Sequence, residues 1–112
     1  MTKFSFKHQN KRINIDIEEC RGLNRAFGLM FGRRERAKAL LFRFEKPTGL
    51  GIHSLFVFFP FAAIWLDDKN EVIKAKKVMP FTFSVGIKEP FYKIIEIPLN
   101  NKYKKFKFLV GD

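Results

Sequence analysis

Five arginines between residues 21 and 36 are the residues best suited to bind an anion. They are Arg21, Arg25, Arg33, Arg34 and Arg36. A guanidinium presents its donors as a planar fork that matches the geometry of a phosphate or carboxylate group. The pattern predicts a loop that faces a polyanion. A solvated charged loop without a ligand is the alternative interpretation.

Lysines near the C-terminus are expected to add charge to that loop. They are Lys102, Lys104, Lys105 and Lys107. A protein that neutralises several phosphates binds with a steep dependence on salt concentration. The two groups of cations together therefore predict salt-sensitive binding.

A second candidate site centres on His53, the single titratable side chain within the uncharged residues 52–66. An imidazole in an apolar pocket can anchor a small ligand, and we expect that pocket to be lined by Met30, Phe42 and Phe56. The alternative is a half-buried ring that is hydrogen-bonded to a backbone carbonyl. No carboxylate lies within this run, so the acid–base pair of an enzyme would have to come from elsewhere in the chain.

Other chemistries lack the residues that they need. Cys20 is the only cysteine, which excludes an internal disulfide and a cysteine zinc site, and we expect it to be a small buried filler. The histidines His8 and His53 are far apart, and no metal or nucleotide motif occurs, so no metal or cofactor is expected. Ser54 adjoins His53, but neighbouring residues on a strand point to opposite faces and make a poor nucleophile–base couple.

Charge suggests partners without fixing one. The chain has 112 residues and a net charge of +11, and every Lys and Arg lies within residues 1–46 or 67–112. Nucleic acid or another polyanion is the expected partner, and anionic membranes are a further alternative. Genome composition or a high growth temperature could produce the same lysine-rich surface. The N-terminus lacks the apolar run of a secretory signal, so a cytoplasmic location is expected.

Short alternating runs predict a mostly β fold in one domain, residues 1–112. Residues 4–17 alternate on both sides of a polar turn and predict a β-hairpin. Alternation predicts further strands over residues 40–45, 71–76 and 92–97. Residues 18–30 break the alternation and predict one short helical segment.

The uncharged run predicts two strands rather than a membrane span, for which it is short and interrupted. Residues 52–59 are apolar on both faces, as in a central strand, and Pro60 marks a bend before a strand over residues 61–66. The Asp and Asn residues of 67–70 predict a hairpin turn. Alternation over residues 105–110 predicts a last strand, with outward lysines that protect an edge. About six to eight short strands predict a compact β-sandwich or a partly open barrel.

The order of several motifs also resembles a known family. The motifs are R-x-x-G-L-M at 25–30, L-L-F at 40–42, I-H-S-L-F at 52–56, F-P at 59–60, I-W-L-D at 64–67 and the closing Gly111-Asp112. Over residues 11–112 this resembles the Domain of Unknown Function 192 family, also called uncharacterised protein family 0127. The resemblance implies a small, mostly β protein of two packed sheets without an assigned biochemical role. Members often carry an Arg before Phe-Pro and an Asp two residues after the proline; Phe58 and Ala62 stand there, so a polar site built on that pair is missing here.

These observations predict a small, non-enzymatic binding module for an anionic or protein partner. The alternative is a small-ligand-binding protein or an enzyme with a pocket around His53.

Overall fold

The fold is seen in a computed structural model that describes residues 2–20, 33–49, 57–82 and 84–111. The described elements are strands β1 (Thr2–His8), β2 (Lys11–Glu19), β3 (Leu40–Thr48), β4 (Phe61–Leu66), β5 (Val72–Val78) and β6 (Phe91–Pro98), and a C-terminal 3-10 helix (Asn101–Val110). The strands form one curled sheet in the order β1-β2-β3-β6-β4-β5. All neighbours are antiparallel except β2 and β3. The mostly β, partly open barrel is confirmed, as one half-barrel rather than two packed sheets.

The sheet curls until its two edge strands approach each other. The backbone N–H of Lys7 in β1 donates to the carbonyl of Asn70 at 2.8 Å, and Lys7 also forms an isolated parallel bridge with Glu71. The C-terminal helix packs against β4 and β5, and its Phe108 ring lies 6.4 Å from the His8 ring at the end of β1. The helix therefore covers the open side of the half-barrel.

Alternation along the strands divides the buried side chains into two clusters. The inner cluster faces the helix and includes Phe4, Phe6, Ile15, Ile17, Leu41, Ile64, Ile95, Ile97, Tyr103, Phe106 and Leu109. The outer cluster covers the opposite face and includes Cys20, Leu40, Phe42, Val57, Phe59, Phe61, Trp65, Phe91 and Ile94. All of β4 is buried, because apolar residues cover that strand on both faces.

Several predicted elements are confirmed. The N-terminal hairpin and the strands over residues 40–45, 61–66, 71–76 and 92–97 are present, with small shifts at their ends. The hairpin turn after β4 is also present, and the Asp67 carboxylate accepts backbone N–H bonds from Lys69 at 2.8 Å and Glu71 at 3.0 Å. These bonds form the local Asx geometry that favours aspartate in turns.

Two predicted elements fall largely outside the described residues. The helical segment over 18–30 is one of them; β2 continues through Glu19 where that helix was expected to begin, and residues 21–32 are not described. The strand over 52–59 is the other, and its described part, residues 57–59, forms no strand.

The last predicted strand is wrong, because residues 105–110 belong to the C-terminal helix. Residues i and i+3 eclipse each other in a 3-10 helix, and Tyr103, Phe106 and Leu109 form one buried row at that spacing. Phe108 is 57% exposed, although strand alternation would place it on the same face as Phe106. The alternation of Phe with Lys in the sequence is typical of a strand, but the buried residues of this segment recur every three positions.

Candidate anion-binding cleft

A cleft of about 280 Å³ lies where β6 ends and the C-terminal helix begins, against the turn of residues 33–36. We call this turn the arginine turn. The cleft is lined by Arg34, Glu35, Leu99, Asn100, Asn101, Lys102, Lys104 and Lys107. Four of these side chains are basic and one is acidic, so the lining carries a net positive charge.

Asn100 joins the two walls of the cleft. Its amide Nδ2 donates to the carbonyl oxygens of Arg34 at 2.7 Å and Ala37 at 3.2 Å. Its Oδ1 accepts the backbone N–H of Tyr103 at 3.2 Å, as an N-cap does. Asn100 is only 8% exposed, and its bond to Tyr103 is buried, whereas the two bonds to the arginine turn are partly buried. One side chain thus begins the helix and holds the arginine turn beside it.

Two further hydrogen bonds cross between the walls. The Nε of Arg34 donates to the carbonyl of Leu99 at 2.8 Å, which uses one of the five N–H donors of the guanidinium. The Tyr103 hydroxyl accepts the backbone N–H of Ala39 at 2.9 Å, just before β3. The positions of Arg34 and the helix start are therefore fixed by bonds between distant parts of the chain.

The three-residue period of the helix also determines which of its lysines line the cleft. Lys104 and Lys107 lie three residues apart in the part of the helix that follows a kink at Tyr103 (φ −113°, ψ 19°), and they line the cleft in one exposed row. The rise of a 3-10 helix places successive members of such a row about 6 Å apart. Lys105 lies on another row, with its Nζ 5.2 Å from the centre of the Phe106 ring. Only some of the C-terminal lysines therefore line the cleft.

The five predicted arginines are placed unevenly. Arg34 lines the cleft, and Arg33 and Arg36 are exposed on the same turn. Arg21 and Arg25 lie outside the described residues. Three of the four C-terminal lysines that were expected to add charge line the cleft beside Arg34.

Of the second predicted site, only Phe42 is described. It is buried in the outer cluster, opposite Ile94 of β6. Met30, His53 and Phe56 lie outside the described residues, so the pocket stays a prediction.

A buried carboxyl group on the outer face was missed by the sequence analysis. Glu96 is 7% exposed in β6, opposite Leu40 of β3 and Ala63 of β4. Burial raises its pKa to about 8, so the group keeps its proton at neutral pH. The pKa of the Cys20 thiol is raised to about 11, first by burial and then by the charge of Glu96. The signal was present in the sequence as the lone charge among the apolar residues 94–99.

Another buried polar atom lies on that face. The indole Nε1 of Trp65 is shielded from water and has no hydrogen-bond partner within the described part of the chain. Trp65 lies opposite Ile94, one step along the outer face from Glu96. The outer cluster is thus apolar with two polar groups close together.

The described residues also bear on metal and membrane chemistry. Among them, no three His, Cys, Asp or Glu side chains are grouped closely enough to hold a metal ion. No helix in the described ranges has the length and apolar character needed to cross a lipid bilayer.

The fold and the cleft together define a small half-barrel, sealed by a C-terminal 3-10 helix, with a basic cleft at one end. The chain belongs to the DUF192 family, because the family model described as "Uncharacterized ACR" matches residues 4–112. The resemblance noted from the sequence motifs is thereby confirmed.

Solved structures share the fold at low sequence identity. A protein of unknown function from Novosphingobium aromaticivorans superposes with a TM-score of 0.74 at 17% identity, covering 92% of this chain and 76% of the other. A protein from Sinorhizobium meliloti, described as a candidate transcription regulator, superposes with a TM-score of 0.71 at 16% identity, covering 84% and 76%. No curated protein matches the chain. At these identities the likeness establishes the fold alone.

Proposed function

We propose that the chain is a non-enzymatic binding module whose cleft receives an anionic partner. One observation carries this proposal: the arginine turn and the C-terminal helix, far apart in sequence, form the two walls of one cleft with four basic side chains. The hydrogen bonds of Asn100 and Arg34 hold these walls together before any ligand arrives. A pre-formed site spends little of its binding free energy on ordering the protein.

The kind of group that fits is a phosphate or carboxylate. Arg34 offers a planar fork, whereas Lys104 and Lys107 offer compact charges in a row. Both lysines are exposed, so their attraction for an anion is screened by salt. Binding of a polyanion through this cleft should therefore weaken steeply as the salt concentration rises.

Among polyanions, nucleic acid is the first to test. The basic excess of the whole chain, +11, favours it. An acidic protein surface is the other partner that such a cleft would fit.

The test measures the binding of single-stranded RNA at 50 and 200 mM salt by filter retention. We expect micromolar affinity at the lower salt, and a loss of about tenfold or more in Lys104→Glu/Lys107→Glu. The matched control is Lys11→Glu/Lys69→Glu, which makes the same change in net charge at the opposite end of the sheet. If no RNA, DNA or polyphosphate binds even at 50 mM salt, or if the control loses as much affinity, the proposal fails.

A small-ligand pocket around His53 is the alternative function. The buried Glu96 lies on the same outer face as Phe42, the described member of that predicted pocket. A carboxyl group that keeps its proton at neutral pH can donate a hydrogen bond to a ligand oxygen. A thermal-shift screen against small metabolites would test this, with Glu96→Gln as the comparison. A compound that stabilises the wild type and not the variant would support the pocket, whereas a screen without hits would count against it.

A further inference from the structure

We infer that the anionic partner is a single-stranded nucleic acid, whose phosphates enter the cleft while its bases stack on an exposed aromatic pair beside it. This inference rests on the proposed function and names its partner. The pair consists of Phe58 and Phe81.

Both rings of the pair are exposed to solvent. Phe58 is 57% exposed and Phe81 is 59% exposed, and their ring centres lie 5.7 Å apart at an interplanar angle of 60°. Met79, which is 53% exposed, lies two residues before Phe81. Large apolar side chains that cluster at the surface of a small protein mark a place where something binds.

The backbone holds Phe81 in an unusual conformation. Its φ is 64°, in the left-handed region that bulky side chains rarely adopt. The hydroxyl of Thr82 donates to the carbonyl of Met79 at 2.7 Å and closes the turn around it. A strained residue that keeps an aromatic ring exposed is a further sign of function at this turn.

Strand register places the pair at the same end of the half-barrel as the cleft. Phe61, the first residue of β4, lies opposite Pro98 of β6 and Val78 of β5. Leu99, which lines the cleft, donates its backbone N–H to the carbonyl of Pro60 at 3.1 Å. One member of the pair precedes Pro60 by two residues, and the other follows Val78 by three. The aromatic pair and the cations therefore belong to one end of the molecule.

This combination matches the chemistry of a single strand. Proteins that bind single-stranded nucleic acid pair a cationic groove for the phosphates with aromatic rings on which the bases stack. A duplex keeps its bases stacked internally and offers none to the rings. A lipid bilayer presents a broad surface, which cannot enter a concave cleft. A flexible strand can place a phosphate in the cleft and a base on the rings at once.

The experiment compares four probes by fluorescence anisotropy at 50 mM salt. The probes are a mixed-sequence 20-nucleotide RNA, the same sequence as single-stranded DNA, its duplex, and inorganic polyphosphate, which carries charge without bases. The test variant is Phe58→Ser/Phe81→Asn, in which asparagine tolerates the left-handed backbone. The matched control is Phe108→Ser, which removes a ring of equal exposure (57%) from the helix surface beside His8.

We expect the test variant to lose about tenfold in affinity for the single strands and to bind polyphosphate as the wild type does. Phe108→Ser should bind the single strands and polyphosphate as tightly as the wild type does. The difference in affinity between the RNA and the single-stranded DNA measures the contribution of the ribose hydroxyl. Circular dichroism of each variant shows that the fold is retained.

Three results would overturn the inference. The first is that the test variant binds the single strands as tightly as the wild type does, while Lys104→Glu/Lys107→Glu has lost that affinity. This result would leave the proposed function standing. The second is a duplex that binds as tightly as either strand. The third comes from a separate sedimentation assay with phosphatidylserine vesicles: the wild type binds the vesicles but no RNA, and the test variant loses the vesicle binding. Failure of every polyanion to bind would instead defeat the proposed function itself.

Discussion

Replacing Glu96 by glutamine should stabilise the protein in a way that depends on pH. Glutamine has nearly the same shape as glutamic acid and carries no charge at any pH. Glu96 is buried between β3 and β4, where an ionised carboxylate would lose its hydration. The substitution therefore removes the cost of ionisation and leaves the packing of the outer face in place.

The size of the effect follows from the pKa. Burial raises the pKa of Glu96 from 4.5 to about 8, so between these values the folded state holds a proton that the unfolded state has lost. Because the pKa is raised on folding, the contribution of Glu96 to the free energy of unfolding is fully present below pH 4.5. It falls as the pH rises and levels off above about 8. One pKa unit is worth 1.36 kcal/mol, so the loss at pH 7 amounts to about 3 kcal/mol. Glu96→Gln should recover about that much at pH 7 and nothing at pH 4.

The neighbours of Glu96 do not change their own charge in the pH range of this titration. Its strand partners, Leu40 and Ala63, cannot ionise. The pKa of the Cys20 thiol is about 11, so that group is uncharged throughout the window. Glu45→Gln makes the same chemical change at an exposed position of β3 and serves as the matched control.

The assay is urea unfolding between pH 4 and 9, followed by the fluorescence of Trp65, the single tryptophan, which is fully buried. The difference in unfolding free energy between Glu96→Gln and wild type should grow by up to about 1.4 kcal/mol per pH unit between pH 5 and 7. Glu45→Gln should follow the wild type within about 0.5 kcal/mol. A constant difference across the whole pH range would refute the reasoning, because it would mean that Glu96 does not take up a proton on folding.

Three further predictions test the C-terminal helix and its contacts. Phe106→Ala should cost about 3 kcal/mol in urea unfolding and Phe108→Ala less than about 0.5, because burial follows a period of three; equal costs would contradict the helix. Tyr103→Phe should cost about 1–3 kcal/mol, since it leaves a buried backbone N–H without its acceptor, whereas Tyr92→Phe at a half-buried position of β6 should be nearly neutral; identical unfolding midpoints for the two would argue against that hydrogen bond. Asn100→Asp keeps the capping oxygen and loses both amide donors, so it should cost about 2 kcal/mol and also lower the affinity of the cleft for polyphosphate; unchanged binding would show that the arginine turn is held by other contacts.

The strands were predictable because their periodicity is local. Phe4 and Phe6 alternate with polar residues in a hairpin that is buried on one face only, and this period of two is visible in the sequence. β4 was predictable for another reason, since its six apolar residues lie between Pro60 and an Asp-rich turn. Both patterns need only the residues of the strand and its two ends.

The C-terminal helix was not predictable from alternation, because two periods fit the same residues. Lys105 to Val110 satisfies a period of two, and residues 103, 106 and 109 satisfy a period of three. The helix gains more, since it places three large side chains in the inner cluster and closes the open side of the half-barrel. That gain depends on the sheet having an open side, which the helix residues themselves do not reveal.

The cleft depends on strand order in the same way. β3 and β6 are antiparallel neighbours, with Leu40 opposite Glu96, so the residues that lead into β3 meet those that leave β6. The arginine turn precedes β3 and the lysine row follows β6, and this single pairing brings the two together. The sequence indicates both groups of cations and both strands, but the same alternation would allow β3 to pair elsewhere. Knowledge of that one strand pair would have turned two separate basic segments into one predicted cleft.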